Sequence, residues 1–398
     1  MTLAELSKLL FSPVTLLLYT TSMLAYLYAM AFTKVDRSAD EAALAGNRAR
    51  ILGSALAVAG VAAHVAHILT RSIASGRWPR GNMFEFSSIM ALTVVLGGLV
   101  ILQWRMRRAE VMGFVLLGAL ITLGLSLLVY AEPAPLAPIL DSWWRAIHVS
   151  AISLAAGIFT MGFVFNALHL LRDTAERRVA ARTEAFGGST VGAAFAGTPT
   201  DEDHDQLVDT VAERANPDPD ALHDALHDDA YRLALRDALA DRWLGVRFPW
   251  RIALGSIVVV TLFSLTFQRT SATLAMPLIT LAIVGLAWWA VPYLPSASTL
   301  DSLAYRTIVF AFPIWTFAVI TGAIWAEQSW GRYWGWDPKE TSAFLTWVAY
   351  AGYLHARATR GMRGRGASWF GIVAFCVLMF TYFVVNLLIT GLHSYAGL

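Results

Sequence analysis

Ten long apolar runs dominate this sequence. They lie at about 11–33, 50–70, 83–104, 111–130, 143–171, 248–268, 273–293, 307–326, 341–356 and 368–390. A helix needs about 20 apolar residues to cross a bilayer, and inside the hydrocarbon every backbone amide must bond within its own segment. A transmembrane barrel would read as shorter segments of alternating polarity, and these runs are too continuously apolar for that. The expected fold is therefore all-α, a polytopic membrane helical bundle of about ten transmembrane helices. Composition agrees, with 57% hydrophobic and 15% charged residues. The first run is long enough to span and no strongly basic region precedes it, so no cleavable signal peptide is expected.

Arginine placement predicts orientation, because cytoplasmic loops collect Lys and Arg. "RMRR" (105–108), "RDTAERRVAAR" (172–182) and the four arginines of "HARATRGMRGRG" (355–366) point inward, and the Lys/Arg-free "AEPAPLAPILDS" (131–142) points outward. Ten alternating spans satisfy all four and put both termini outside the cytoplasm. The loop "RSIASGRWPRGNMFEF" (71–86) breaks the rule, with Arg71, Arg77 and Arg80 on the outer face. Either these side chains snorkel to outer phosphates, or Arg77 and Arg80 hold the carboxylates of a ligand.

Four regions follow: membrane helices 1–5 (1–171), an acidic, partly disordered cytoplasmic insert (172–247), a two-helix hairpin (248–300) and a C-terminal core with helices 8–10 (301–398). Residues 201–230 carry eleven acids and one arginine, a composition that cannot build a packed core. His223 and His227 stand at i, i+4 on a candidate amphipathic helix there; such a pair is either a metal-ligand spacing or simply solvated. The single cysteine, Cys376, sits within an apolar run, so dithiol chemistry and a CxxCH haem-attachment site of the chain's own are excluded.

Chemistry concentrates at "SWGRYWGWDPKET" (329–341), where three tryptophans and a tyrosine fall within seven residues. Gly331, Gly335 and Pro338 keep the stretch from being an ordinary helix. Ionisable residues in membrane spans are costly and mark candidate sites. His148, in "DSWWRAIHVS", and His393, in "GLHSYAGL", fall at the predicted depth of this aromatic loop. Two neutral imidazoles can supply both axial positions of a haem iron, and indole faces suit a flat macrocycle. The competing reading is an interfacial aromatic belt. His355 lies toward the inner face; His64, His67 and His169 also read as hydrogen-bonded bundle residues. Asp337 at the N-cap, Pro338 at N1 and Glu340 at N3 have the order of a helix start, and Lys339 is a candidate partner for a ligand carboxylate. A solute transporter with an aromatic gate would call for acidic or broken-helix sites at mid-membrane; between 248 and 398 no Asp or Glu lies deep in a run.

"LDSLAYRTIVFAFP", "GAIWAEQSWGRYWGWDPKET", "TWVAYAGYLHARA" and "VNLLITGLHSYAG", with "GRWPRGNMFEF" and "WWRAIHVS" upstream, resemble the haem-handling proteins of cytochrome c biogenesis that carry the tryptophan-rich WWD domain. Within them the sequence is most similar to the CcsA (ResC) family of System II. The resemblance implies haem b as bound substrate, held outside by His148 and His393 against a loop of Trp330, Gly331, Trp334, Trp336, Asp337, Pro338 and Glu340. It implies a membrane-embedded ligand at His355, whose second imidazole belongs to the partner, or here to His64 or His67. It implies a CcsB/ResB-type membrane partner, thiol-reducing proteins acting on apocytochrome c, and a haem lyase at the outer face of the cell membrane. Nucleic acid has no place in it. The alternative is a haem exporter or chaperone that hands haem to another ligase, as the System I relatives CcmC and CcmF divide the work. Residues 172–293 have no counterpart in the shorter family members.

Overall fold

The computed structural model describes residues 1–32, 40–105, 109–135, 140–185, 250–266 and 270–392. His393, the pair His223 and His227, and most of the acidic insert lie outside them.

Among the described residues the chain runs as ten helical stretches. α1 covers 3–32 with a π-helical turn at Leu10–Thr15, and α2 covers Asp40–Ser75. α3, Met83–Gly98, runs on through a π-helical turn to Arg105; α4 is Met112–Leu128 and α5 is Trp143–Ala185. α6 (Trp250–Thr266) and α7 (Thr270–Ala290) form a hairpin, followed by α8 (Ala297–Trp330) and α9 (Pro338–Thr359). α10, Arg365–Met379, continues through Phe380–Val385 to Leu388.

The protein is all-helical and multi-pass, but the ten apolar runs are not equivalent. Among the described residues, six helices are long and apolar enough to cross a membrane: Leu3–Met30, Gly46–Ser75, Met83–Arg105, Trp143–Arg177, Ala297–Trp330 and Arg365–Leu388. Met112–Leu127 and Pro277–Tyr293 are shorter apolar helices. α9 has 22 residues, but Lys339, Glu340, His355 and Arg357 occupy its two ends.

The chain divides into two compact units, Met1–Ala167 with Ser298–Leu398, and Leu168–Ala297. The second begins inside α5. Residues 172–185, assigned from sequence to the acidic insert, continue that helix. Within this unit Arg172 is buried; it donates from Nη1 to the Val291 carbonyl at 2.9 Å and from Nε to Glu176 at 2.8 Å. His169 is buried here too.

In the first unit the core joins α3, α5, α8, α9 and α10 around Met90, Phe159, Trp315, Tyr350, Phe375 and Leu378. Lipid is as apolar as a leucine side chain, so helices in a bilayer associate through close packing rather than through escape from water. Gly157 provides that closeness: a Cβ there would lie 2.7 Å from the Met90 carbonyl oxygen. Two residues on, Phe159 stacks on Tyr350 with ring centroids 3.6 Å apart.

Polar groups buried at the α2–α3 junction are tied together. The Glu85 carboxylate accepts from Arg71 Nε and Arg77 Nη1, each at 2.9 Å, and from the Gly81 amide at 2.7 Å. This arrangement folds the 76–82 loop back onto the head of α3. That loop carries Arg80.

Candidate functional site

One cavity in the first unit gathers the residues that the sequence marks for chemistry. Its walls come from α3 (Met83, Phe86, Met90), α5 (Arg145, His148, Ile152), α8 (Trp315, Gly322, Trp325) and the loop with the head of α9 (Tyr333, Trp334, Lys339, Glu340). Tyr382 and Asn386 close it from α10, and Arg80 from the 76–82 loop.

His148 is held by α8. Its Nδ1 lies 2.7 Å from the Ala318 carbonyl oxygen. A carbonyl only accepts, so Nδ1 carries the proton and the ring lone pair sits on Nε2. Fixing one nitrogen by a backbone carbonyl is how proteins orient an imidazole that ligates metal through the other. The ring also packs nearly parallel to Trp325, with centroids 6.3 Å apart and planes at 22°. Gly322 makes this approach possible, because a Cβ there would stand 2.7 Å from His148 Nδ1. Ser142 donates to Gln328 at 2.9 Å, which ties the start of α5 to the end of α8 near the same wall.

The aromatic loop is rigid for reasons its sequence partly declares. Gly331, at φ +68°, ends α8 in the left-handed conformation that glycine tolerates. The expected helix start is present: Asp337 is the N-cap of α9, Pro338 follows, and Glu340 completes the capping box. Glu340 Oε2 does more than cap. It accepts from the amides of both Gly335 (2.8 Å) and Asp337 (3.2 Å). The bracketed residue, Trp336, has φ +58°, a conformation uncommon for residues with a Cβ. Strain of this kind persists where its surroundings over-determine it, and here one buried carboxylate grips the amides on both sides.

The tryptophans separate in role. Trp334 lines the cavity. Trp330 packs on Trp325 at 5.2 Å, and Trp336 points outward, 68% exposed, edge-on to Trp334.

The cations separate as well. Arg77 is tied to Glu85 and is not part of the cavity wall. Arg80 is: its guanidinium donates to the Ala146 carbonyl at 2.5 Å and to Ser150, which flank His148 on α5. These acceptors are neutral, and burial pulls its pKa down. Arg145 donates to the Arg80 carbonyl at 2.8 Å, so a second guanidinium stands against the same wall. Lys339, at the charged head of α9, has its pKa lowered to about 8 by burial, opposed in part by Asp337.

The remaining histidines lie elsewhere. His64 is fully buried with both ring nitrogens engaged, by Tyr19 at 3.3 Å and Ser88 at 2.8 Å. His67 is buried with Nδ1 2.8 Å from the Ser7 carbonyl oxygen. His355 is exposed on α9, on the face that also exposes Phe344, Leu345 and Val348. Sequence reading passed over Gly322, Ala318 and Tyr382, since a glycine or alanine inside an apolar run carries no mark. Arg145 had one available signal, its place one helical turn before His148 in "WWRAIHVS".

An oriented imidazole, an aromatic wall and cationic side chains thus share one cavity of a helical membrane protein. The family described as cytochrome C assembly protein matches residues 80–393. The chain belongs to that family, and its role is in cytochrome c biogenesis. It is similar to proteins called "Cytochrome c biogenesis protein CcsA". The one from Rippkaea orientalis is 32% identical over 349 residues, covering 85% of this chain and 87% of that protein. Those from Microcystis aeruginosa and Synechococcus elongatus are 44% identical over 135 residues and 52% over 99. These matches cover 34% and 25% of this chain, and 41% and 30% of the two relatives.

Proposed function

We propose that this chain is the haem-handling subunit of a System II cytochrome c synthase. It moves haem b to the outer face of the cell membrane and presents it, reduced, for thioether attachment to the CxxCH of apocytochrome c. The observation that carries this reading is His148, oriented by the Ala318 carbonyl within a cavity of aromatic and cationic side chains. In this reading both termini and the aromatic loop are extracytoplasmic. The chain acts with a CcsB/ResB-type membrane partner, while thiol-reducing proteins keep the apocytochrome cysteines free.

Haem is the substrate. His148 and His393 are its outer axial ligands, and His355 is the ligand at an earlier, membrane-level stage. The residues present fit such a guest: Trp334 and Tyr333 offer faces to an apolar macrocycle, and Arg80, Arg145 and Lys339 offer charge to its propionates. Attachment adds a cysteine S–H across each vinyl C=C, forming a C–S bond and delivering the proton to the other carbon, with no net oxidation. The protein's part is to hold the vinyl edge where the peptide arrives and to shield ferrous iron with two imidazoles, since ferric iron diverts thiols toward disulfide. The histidine of CxxCH then replaces one imidazole, which couples capture to release.

The direct test is co-expression with the partner and a reporter apocytochrome, scored by haem that survives denaturation. Covalent haem is expected only when both membrane proteins are present. A reporter that matures equally well without this chain would refute the assignment.

Lys339 gives a pH signature. Burial favours its neutral form, whereas a propionate favours the protonated one. As pH falls through about 8 the lysine gains its proton, and haem should bind more tightly; as pH rises through that value, binding should weaken. Titrating haem into detergent-solubilised protein between pH 6.5 and 9.5 should show this slope, and Lys339→Gln should flatten it.

A further inference from the structure

The aromatic surface of the loop continues onto α9. Phe344 meets Trp334 edge-on with ring centroids 6.3 Å apart, and Trp336 at 6.5 Å. Nearly one turn further along α9, Trp347 stacks on Phe344 with centroids 6.1 Å apart and planes at 6°. Trp347 in turn packs on Phe312 of α8 at 5.5 Å, and its Nε1 donates to Thr316 at 2.9 Å, which fixes the ring. A ladder of rings therefore joins the loop to the outer side of α8 and α9. Beside it, α9 exposes Phe344, Leu345 and Val348. His355 is exposed on the same face, at i+11 from Phe344 and about 16 Å further along the helix axis.

This outward direction is enforced from the opposite face of α9. Arg357 Nη1 and Nη2 donate to the two Asp301 carboxylate oxygens of α8 at 2.7 and 2.9 Å, and Tyr350 and Tyr353 are buried. Behind α9 the space is filled, since Phe159 stacks on Tyr350 at 3.6 Å. An ionisable residue on an apolar face of a membrane protein marks a functional site, and an imidazole beside aromatic rings suits a planar macrocycle that carries iron. A partner helix in lipid would pack on small residues, and this face turns Phe344, Leu345 and Val348 outward instead.

We propose that the outer face of α9 is the route by which haem passes from His355 to the aromatic loop, travelling over Val348 and Phe344 along the outside of the bundle and not through its core. The inference rests on haem being the substrate and His355 its earlier ligand.

Val348→Arg tests it, because Val348 stands between the two ends of the route and outside the cavity wall. The full-length variant would be co-expressed with the membrane partner and a reporter apocytochrome. Covalent haem on the reporter should be lost. Haemin titrated under reducing conditions into the purified, detergent-solubilised variant should still give the wild-type spectrum, since the cavity is then loaded from solution. Val58→Arg, at an exposed position of α2, controls for a charge on the outside of the bundle and should leave the reporter mature. A Val348→Arg chain that matures the reporter as well as wild type overturns the route. So does one that no longer co-purifies with the partner, because the face is then a protein interface. One that fails to bind haemin in detergent overturns it too, because Val348 then supports the cavity itself. If Val348→Arg does not accumulate in membranes, Val348→Trp fills the same space without a charge and decides by the same readouts. Two further results separate the route from the reading beneath it: a wild-type chain that takes up no haemin ends the haem assignment, and a His355→Ala chain that matures the reporter normally removes the route's starting point.

Discussion

Replacing His148 with alanine is expected to strip at least nine-tenths of the haem from purified protein, with added imidazole restoring the reduced low-spin spectrum. The imidazole is already oriented for ligation: the Ala318 carbonyl accepts a hydrogen bond from Nδ1–H at 2.7 Å, and Trp325 packs along the ring. Removing the ring leaves the aromatic wall and the cations in place, which is why an exogenous imidazole can substitute. Gly322→Ala should give the same phenotype in weaker form without touching the histidine. Its new methyl would need the space 2.7 Å from Nδ1, so the ring must tilt and give up its carbonyl. A Gly322→Ala protein with unchanged haem content and spectrum would show that the α8 contact does not set the imidazole. A colourless wild-type preparation from haem-replete cells would end the haem reading altogether.

The second large effect is on stability. Glu85→Ala is expected to cost about 3–5 kcal/mol, because it leaves Arg71 as an uncompensated buried charge. Arg71 and Glu85 side chains are 2% and 0% exposed, so water cannot take over the carboxylate's role. Arg77 and the Gly81 amide lose their acceptor as well, and the 76–82 loop that presents Arg80 loses its anchor. Thermal unfolding followed by protease resistance in native membranes would read the effect. Restoring balance by removing both charges, Arg71→Met with Glu85→Leu, should recover much of the loss, since a well-packed apolar pair often equals a buried ion pair. Recovery of stability without recovery of haem binding would separate the fold's need for Glu85 from the site's need for a positioned Arg80. If Glu85→Ala unfolds at the wild-type midpoint, the carboxylate is not the anchor described.

These effects also mark the limits of legibility in the sequence. The all-helical membrane fold was written in the apolar runs, because a bilayer admits few alternatives and the period of a helix needs no tertiary information. The start of α9 was equally local: the Asp337 and Glu340 carboxylates accept from amides within three residues of themselves, with Pro338 at the first helical position, so their spacing declared the cap. His148 and the aromatic loop stood out by residue type alone. What the sequence left undecided depends on distance in space. Arg77 and Arg80 look alike in the chain, but only the fold pairs one with Glu85 and turns the other into the cavity. His64 and His148 are both histidines in apolar runs, and packing sets one between two hydroxyls and the other against the Ala318 carbonyl. Gly322 and Gly391 carry no signal until a side chain from a remote element arrives beside them. Local spacing fixes what a residue can do to its own helix; which charge is neutralised, and which ring nitrogen holds its proton, is settled by neighbours that only the folded chain brings near.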